Sequence, residues 1–261
     1  MIVAGCDVGS LTGKAVILQD GSILVHSIVP TTVKPGRTAR NAMDEALKKC
    51  NLTQDDIKFI VGTGYGRVKI PFADKNVSEI TCHGKGAHSF IPTIRTIIDM
   101  GGQDLKVIKV GKNGKLIDFA MNDKCAAGTG RFLEVMARTL ELKLEELGPI
   151  SLQSKSPIAI TAQCSVFAET EVVSRIADGA EVADIVAGIH DAIASRILSQ
   201  VYKVGLEEEV TISGGVAKNI GVVTFLEKRL GVKIKKLPVD PQIVGAVGAA
   251  LLAKEELQSQ K

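Results

Sequence analysis

The fold of this chain is decided by a stretch near its start, Asp7-Val-Gly-Ser-Leu-Thr-Gly-Lys14, which recurs later as Asp99-Met-Gly-Gly-Gln-Asp-Leu-Lys106. Each copy follows one apolar strand and leads into another, which ends at the turn pair Asp20-Gly21 in the first copy and Asn113-Gly114 in the second. Corresponding residues of the two stretches are 92 positions apart throughout, from residues 7 and 99 to residues 14 and 106. A constant offset over this length indicates a duplicated domain. Each copy places a carboxylate and glycines at the end of a strand.

Composition narrows the class of protein. The 261 residues, with 45% hydrophobic and 23% charged side chains, suffice for two ordinary cores, and we expect their boundary near Pro92. A net charge of +3 and 3% aromatic residues without Trp argue against nucleic acid as a partner. The longest apolar run, residues 243–253, is about half the roughly 20 residues that span a bilayer. Five cysteines, an odd and sparse set, suit a reducing compartment. We therefore predict a soluble, cytoplasmic protein without membrane contact.

The secondary structure predicted from periodicity is a strand meander followed by alternating helices and strands, repeated once. This order is typical of an α/β protein with mixed sheets. The predicted strands are residues 2–7, 14–18, 22–29, 57–62, 96–99, 105–110, 115–121, 210–213 and 232–235, and the predicted helices are 37–50, 80–90, 130–141, 164–178, 182–204, one after 215, and 241–257, with Asp240 as the cap of the last.

The repeated loops have the features of a phosphate site. Asp-x-Gly leaves a strand into a tight turn, so that backbone N–H groups and the Ser10 and Thr12 hydroxyls can approach a phosphate. Asp7 and Asp99 would face each other across a cleft, where they could hold hydrated Mg²⁺ or orient the attacking water. Alternatively, each Asp-x-Gly closes a hairpin only. The candidate catalytic carboxylates are Asp7, Asp99 and Asp104, and the candidate nucleotide-binding residues are Gly9, Ser10, Leu11, Thr12, Lys14, Gly101, Gly102, Gln103, Gly128, Thr129, Gly130, Gly214, Gly215 and Lys218.

Two cysteines form a candidate metal site. Cys125 precedes one predicted amphipathic helix and Cys164 begins another. A helix N-terminus carries free N–H groups and partial positive charge, which favours thiolates and anionic clusters. Iron–sulfur clusters usually need four thiolates, so these two are half a site that a twofold dimer would complete. The alternative is that each is a small packing residue.

Two duplicated lobes with Asp-x-Gly loops resemble the actin, hexokinase and heat-shock chaperone ATPase superfamily. The fold class that this resemblance implies is α/β: a duplicated two-lobe, actin-like (ribonuclease H-like) ATPase fold with mixed five-stranded sheets and a nucleotide cleft between the lobes. The expected domains are an N-terminal lobe of residues 1–93 with the C-terminal helix 241–261, and a second lobe of residues 94–240 that carries both cysteines.

A closer resemblance covers nearly the whole chain. The quoted motifs are similar to those of the activators of 2-hydroxyacyl-CoA dehydratases and of the ATP-hydrolysing subunits of benzoyl-CoA reductases. One difference is Leu11, where members of this family often carry a hydroxyl residue, which Thr12 could replace. The motifs are Gly62-Thr-Gly-Tyr-Gly-Arg67, Asp99-x-Gly-Gly-Gln-Asp104, Asn122-Asp-Lys-Cys-Ala-Ala-Gly-Thr-Gly-Arg-Phe132, Cys164-x-Val-Phe-Ala-Glu-x-Glu-Val172, Gly214-Gly-Val-Ala217 and Gly245-Ala-x-Gly-Ala249.

The resemblance implies a function. Cys125 and Cys164 of both copies in a homodimer would share one 4Fe-4S cluster, loaded by reduced ferredoxin or flavodoxin. ATP with Mg²⁺ would drive transfer of one electron to an iron–sulfur dehydratase or reductase component. Gly128-Thr-Gly130 would couple the nucleotide cleft to the cluster.

Two rival functions stay open at this stage. A sugar or N-acetylglucosamine kinase of the same superfamily would use the same ATP loops. A nucleotide-gated scaffold protein would form complexes without an iron centre.

Several polar or reactive residues are given no chemical role. Cys82-His83 with His88 lacks a fourth ligand at usable spacing, so we expect these residues in packing or at the surface. Cys6 and Cys50 are expected to pack. Tyr65 and Arg67 could contact a partner protein.

Overall fold

The structure is a computed structural model, and it describes residues 1–161 and 164–259. The first half forms a five-stranded sheet. Its first three strands are an antiparallel meander, and a parallel strand follows on the other side of the first. The elements in chain order are β1 (Ile2–Val8), β2 (Thr12–Gln19), β3 (Ser22–Pro30), α1 (Pro35–Cys50), β4 (Ile60–Thr63), β5 (Lys75–Asn76) and α2 (Glu79–Phe90).

The second half repeats this arrangement with more helices. Its sheet again begins with an antiparallel meander. The elements are β6 (Thr96–Met100), β7 (Leu105–Val110), β8 (Leu116–Asn122), α3 (Gly130–Thr139), α4 (Leu147–Ser151), α5 (Ser165–Ala177), α6 (Val182–Val204), β9 (Val210–Ser213), α7 (Ile220–Leu230), β10 (Ile234–Lys235) and α8 (Val244–Ser259).

The two sheets have the same topology. Their strand orders are β3-β2-β1-β4-β5 and, from the equivalent edge, β8-β7-β6-β9-β10. The register repeats as well, because Asp7 lies opposite Lys14 in the first sheet and Asp99 opposite Lys106 in the second. The predicted duplication with mixed five-stranded sheets is therefore confirmed.

Both sheets are covered on both faces, which explains their apolar central strands. In β1, Ala4 and Cys6 belong to the core shared with α1, whereas Val3 belongs to the core shared with α8. The second sheet packs against α6 on one face and against α2 on the other, and α3 and α7 complete the core on the α6 side. The C-terminal helix thus lies on the N-terminal sheet, as the expected lobe division requires; that division stays a prediction, and its last two residues, 260 and 261, lie outside the described part.

Glycines let α2 and α8 cross at backbone contact. A Cβ added to Gly86 would lie 2.2 Å from the Val244 carbonyl oxygen, and one added to Gly248 would lie 1.8 Å from the Cys82 carbonyl oxygen. No side chain larger than hydrogen fits there. The two helices connect the sheets at this crossing, since α2 contacts β6 and β7 while α8 contacts β1 and β4.

The structure corrects a few element boundaries. Ile57 was expected in a strand, but its N–H closes a 3₁₀ turn over Gln54–Asp56 by bonding the Gln54 carbonyl, so β4 begins at Ile60. The last helix begins with a 3₁₀ turn, Pro241–Ile243, which the Asp240 side chain caps at the Gln242 N–H as expected. The short elements β5 and α4 were not predicted, because they are brief and α4 contains Gly148-Pro149.

Within residues 1–161 and 164–259, no helix combines the length and the apolar character needed to cross a membrane.

Candidate nucleotide cleft and cysteine site

A cleft of about 730 Å³ lies where the two repeated loops meet. Both loops and the glycine pair after β9 contribute to its walls, as the sequence predicted. The predicted residues that line the cleft are Asp7, Gly9, Ser10, Leu11, Thr12, Lys14, Asp99, Gly101, Gly102, Gln103, Asp104, Gly130, Gly214, Gly215 and Lys218.

Each of the two repeated loops contains the same hydrogen-bonded turn. The Gly9 N–H donates to the Thr12 carbonyl at 3.0 Å, and at the equivalent place the Gly101 N–H donates to the Asp104 carbonyl at 2.9 Å. Each turn follows a strand that ends in the cleft. The duplication therefore extends to individual backbone hydrogen bonds, and the two loops offer similar backbone surfaces to a ligand between them.

Each repeated aspartate is paired with its repeated lysine. Lys14 Nζ lies 3.2 Å from Asp7 Oδ2, and Lys106 Nζ lies 3.3 Å from Asp99 Oδ2. Lys106 also pairs with Asp104. Each ion pair fixes a carboxylate in the wall of the cleft, where carboxylate oxygens can bind a hydrated cation or a water molecule.

Asp99 is buried, yet its charge is favoured. Burial alone would raise its pKa, but His83 and Lys106 beside it, with a hydrogen bond from Ser213, lower the pKa to about 2. Burial likewise opposes the charge of Lys106, and Asp99 and Asp104 outweigh it and raise the pKa of that amine above its ordinary value. The cleft thus contains a permanently charged cluster at neutral pH.

His83 is a site residue that sequence reasoning missed. Its Nδ1 lies 2.9 Å from Ser213 Oγ and 3.3 Å from Asp99 Oδ1, and its side chain lines the cleft. A Cβ added to Gly245 would lie 2.7 Å from His83 Nε2 and 3.2 Å from Asp7 Oδ2, so the ring lies near both aspartates. The sequence held no signal for this role, because His83 is on α2 and its contacts are on other elements. Ser213 could have been found, since it directly precedes Gly214-Gly215.

The glycine pair after β9 approaches the second loop closely. Gly214 has φ of 85°, and a Cβ there would lie 2.2 Å from the Met100 carbonyl oxygen. Lys218, at the end of the following 3₁₀ turn, contacts Asp240 Oδ2 and Gln242 Oε1, both at 2.7 Å. Its charge is therefore partly balanced within the protein at the cleft rim.

Of the loop Gly128-Thr-Gly130, only Gly130 reaches the cleft. Gly128 lines a second cavity, and Thr129 is fully buried with its hydroxyl donating to the Ala126 carbonyl at 2.6 Å. This corrects the expectation that all three residues line the nucleotide site. The loop is nevertheless joined to the cleft, because the N–H groups of Gly130 and Arg131 donate to the carbonyls of Gly101 and Gly102 at 3.0 and 2.9 Å.

The two candidate cysteines are near the surface of the second lobe. Cys164 is exposed and is the N-cap residue of α5, as predicted. Cys125 is half-buried in the loop between β8 and α3. Since α3 begins only at Gly130, Cys125 is not at a helix N-terminus, and that expectation is wrong.

The described surroundings of these cysteines include one arginine contact. Neither thiol is in a disulfide, and Arg196 Nη2 lies 3.6 Å from Cys125 Sγ. Among the described residues, no three His, Cys, Asp or Glu side chains are grouped so as to hold a metal ion. Two surface thiols fit half of a four-thiolate iron–sulfur site, so the donor set fits such a cluster when a second copy contributes its own pair.

An apolar surface adjoins Cys164. The helix α5 exposes Val166, Phe167, Val173 and Ile176, the first two with 66% and 69% of their surface accessible. Exposed apolar side chains grouped on one helix are typical of a protein–protein contact surface.

The remaining cysteines are packing residues, as predicted. Cys6 and Cys82 are fully buried. Burial raises the pKa of the Cys82 thiol to about 12, and burial also raises the pKa of the Cys6 thiol, so neither forms a thiolate at neutral pH. Tyr65 is exposed at the cleft rim, and Arg67 pairs with Glu79 at 2.7 Å.

Comparison with known proteins identifies relatives of this chain. The model of the BadF/BadG/BcrA/BcrD ATPase family matches residues 4–253. The (R)-2-hydroxyglutaryl-CoA dehydratase activating ATPase of Acidaminococcus fermentans is 46% identical, with 95% of each chain covered. One of the subunits of benzoyl-CoA reductase from Thauera aromatica is 29% identical over 96% of this chain and 92% of its own length.

Solved structures agree in fold. The activator of the 2-hydroxyisocaproyl-CoA dehydratase from Clostridium difficile, with bound ADPNP, superposes with a TM-score of 0.93 at 43% identity, covering 100% of this chain and 97% of the other. A ROK family glucokinase from Streptomyces griseus, 14% identical, superposes with a TM-score of 0.61 over 98% of this chain and 100% of the other, which shows the fold alone. The predicted actin-like two-lobe fold is thus confirmed.

Proposed function

The chain belongs to the BadF/BadG/BcrA/BcrD ATPase family, and from this premise we propose that it is the ATP-driven electron donor that activates an iron–sulfur 2-hydroxyacyl-CoA dehydratase. That the chain is an ATPase follows from its membership of this family. The observation that carries the rest is the direct hydrogen bonding between the second repeated loop of the cleft and the start of α3, which directly follows the Cys125 loop.

ATP would bind between the repeated loops. The backbone turns at Gly9 and Gly101 and the hydroxyls of Ser10 and Thr12 would hold the phosphates, because short turns expose N–H groups to an anion. Asp7 and Asp99 would hold Mg²⁺ through its water shell, and the ion would neutralise phosphate charge. Asp104 stays a candidate for orienting the attacking water. The bound ADPNP of the Clostridium difficile activator supports nucleotide binding in this fold.

A 4Fe-4S cluster would be held by Cys125 and Cys164 of two copies of this chain. The group would store and release one electron at low potential. The apolar side chains of α5 beside Cys164 support the homodimer, since they would leave water on association.

Nucleotide state would reach the cysteines through the backbone. Gly101 and Gly102 belong to the second phosphate loop, and their carbonyls accept hydrogen bonds from the first residues of α3. A shift of this loop on ATP binding or hydrolysis would move the start of α3 and, with it, the segment from Cys125 to Thr129. The cysteine's exposure to a partner would change with the nucleotide.

The partners follow from this chemistry. Reduced ferredoxin or flavodoxin would supply the electron, and an iron–sulfur dehydratase component would receive it. The identity is higher to a dehydratase activating ATPase than to the benzoyl-CoA reductase relative, which favours the dehydratase as the recipient.

The test is the variant Cys164→Ala, with Cys50→Ala as the matched control. Cys50 is also a thiol without a disulfide and is half-buried, but it ends α1 on the first lobe. After anaerobic reconstitution we expect wild-type protein and Cys50→Ala to be brown dimers, and Cys164→Ala to lose its iron and its activation of the dehydratase while still binding an ATP analogue.

A normal iron content in Cys164→Ala would refute the ligand assignment. Wild-type protein that stays colourless and iron-free would refute the electron-donor role as a whole. Phosphorylation of an added sugar by such iron-free protein would instead support a kinase of the same superfamily.

A further inference from the structure

The helix α6 brings an arginine to the cysteine site. Arg196 lies between Ile193 and Ile197, whose side chains are 2% and 0% exposed and hold this part of α6 in the core. From this fixed position its Nη2 reaches to 3.6 Å from Cys125 Sγ. A guanidinium N–H at this distance is a hydrogen-bond donor to sulfur, and it carries a full positive charge.

The arginine shares a cavity with part of the Cys125 loop. The cavity has a volume of about 410 Å³, and Ala127 and Gly128 of the Cys125 loop line it together with residues 159–161. A Cβ added to Gly128 would lie 3.7 Å from Arg196 Cγ, so the Cys125 loop rests on the arginine stem as well as on its head group.

A second arginine, Arg229, lines the same cavity. Arg229 forms a two-pronged ion pair with Asp191, with Nε to Oδ1 at 2.7 Å and Nη2 to Oδ2 at 2.5 Å. Asp191 thus anchors Arg229 to α6. Arg196 is the arginine of this cavity whose guanidinium contacts the cysteine sulfur.

We infer that Arg196 is a positioning residue of the cysteine site: it holds the Cys125 loop against α6 and stabilises the more negative, reduced form of the site. This inference rests on the proposed electron-donor function. Hydrogen bonds and positive charge directed at ligand sulfur raise the reduction potential of an iron–sulfur site. The arginine would thus limit how strong a reductant the protein is before ATP acts.

The experiment compares Arg196→Gln, Arg196→Lys and the control Arg229→Gln in the reconstituted dimer. The midpoint potential is measured by electron paramagnetic resonance during redox titration. We expect Arg196→Gln to shift the potential to more negative values, Arg196→Lys to lie between it and wild type, and Arg229→Gln to match wild type. An unshifted Arg196→Gln, or an equal shift in Arg229→Gln, would overturn the inference.

Iron release to a ferrous chelator gives a second readout, which tests the positioning role. We expect faster release from Arg196→Gln than from wild type and Arg229→Gln, and equal rates would contradict the role. Arg196→Gln could fail to retain any iron. In that case, iron retention in Arg196→Lys supports the inference. Loss of iron from Arg229→Gln as well as from Arg196→Gln overturns it. Iron-free wild type would refute the proposed function itself, whereas iron-bearing wild type with an unshifted Arg196→Gln would refute only this step.

Discussion

The two repeated aspartates share a position in the fold but not an environment. Asp7 pairs with Lys14 at the end of β1. Asp99 is contacted by Lys106, Ser213 and His83, which together keep it charged although it is buried. Asp99 is therefore the more rigidly held carboxylate, because several donors fix its oxygens, and we expect it to define the cation position in the cleft.

A buried histidine makes stability depend on pH. His190 is fully buried on α6, and burial lowers its pKa to about 4. Its Nε2 lies 3.3 Å from Asn219 Nδ2, the amide of the residue that caps α7, and its ring packs edge-on against Phe225. The folded protein thus holds this imidazole neutral, in contact with the start of α7 at the nucleotide cleft.

We predict that the free energy of unfolding falls as the pH is lowered from about 6.5 to about 4. The unfolded chain protonates His190 in this window and the folded chain does not, so acid favours unfolding; at pH 5 the loss is about 2 kcal/mol relative to neutral pH. Urea unfolding at several pH values measures it. His190→Asn should be less stable at neutral pH but show a flatter dependence, and an unchanged slope would contradict the assignment. The ionised Asp99 also stabilises the fold, but this stabilisation is lost mainly as the pH falls from 3.8, the ordinary pKa of an aspartate, to about 2, which is below this window.

At the scale of elements, the crossing of α2 and α8 decides how the two sheets are joined. His83 on α2 reaches Ser213 and Asp99, while the turn before α8 supplies Asp240 and Gln242 to Lys218. The crossing therefore positions residues on two sides of the cleft, and its glycines let the helices approach closely enough for these contacts.

We predict that Gly248→Ala destabilises the fold by about 1–3 kcal/mol, because the new methyl group would meet the Cys82 carbonyl oxygen at 1.8 Å and force α2 and α8 apart. Thermal unfolding measures the effect. Gly111→Ala is the control, since its Cβ would have no neighbour nearer than 3.4 Å. Without the clash, alanine would stabilise α8 relative to glycine. Equal melting temperatures of the two variants would therefore contradict the prediction.

For the whole molecule, the two lobes meet at the two repeated loops, residues 7–14 and 99–106. A Cβ on Gly102 would lie 2.4 Å from Leu11 Cγ, so the first loop touches the second directly. The second loop bonds the start of α3 through Gly130 and Arg131. A continuous path of contacts therefore runs from the first lobe, through the cleft, to the loop of Cys125.

Gly130→Pro tests this path by removing one hydrogen bond. Proline suits the first position of a helix, and the preceding Thr129 is extended, with φ of −118° and ψ of 171°. The lost N–H is the donor to the Gly101 carbonyl. We predict that Mg-ATP changes the rate of iron release to a chelator in wild type and in Gly130→Ala, which keeps the N–H, but changes it less in Gly130→Pro. Equal nucleotide effects in all three proteins would refute the coupling path.

Much of this architecture is local enough to be predicted. The meanders, the long helices α1, α2, α5 and α6 and the three glycine loops follow from apolar periodicity and turn residues, which act over a few positions. The predictions that were wrong concern places where local patterns do not decide. Ile57 is apolar yet closes a 3₁₀ turn, and Thr129 belongs to a glycine-rich loop yet is buried away from the cleft.

The sequence by itself determined the duplication, the strand meander that opens each copy and the two repeated loops, residues 7–14 and 99–106, because each depends on neighbours in the chain. Only the tertiary structure decided that His83 joins Asp99 and Ser213, that Arg196 reaches Cys125, and that the start of α3 bonds the second phosphate loop. These contacts join residues far apart in the chain, and a buried polar group takes whichever partner the packed elements bring within hydrogen-bonding distance.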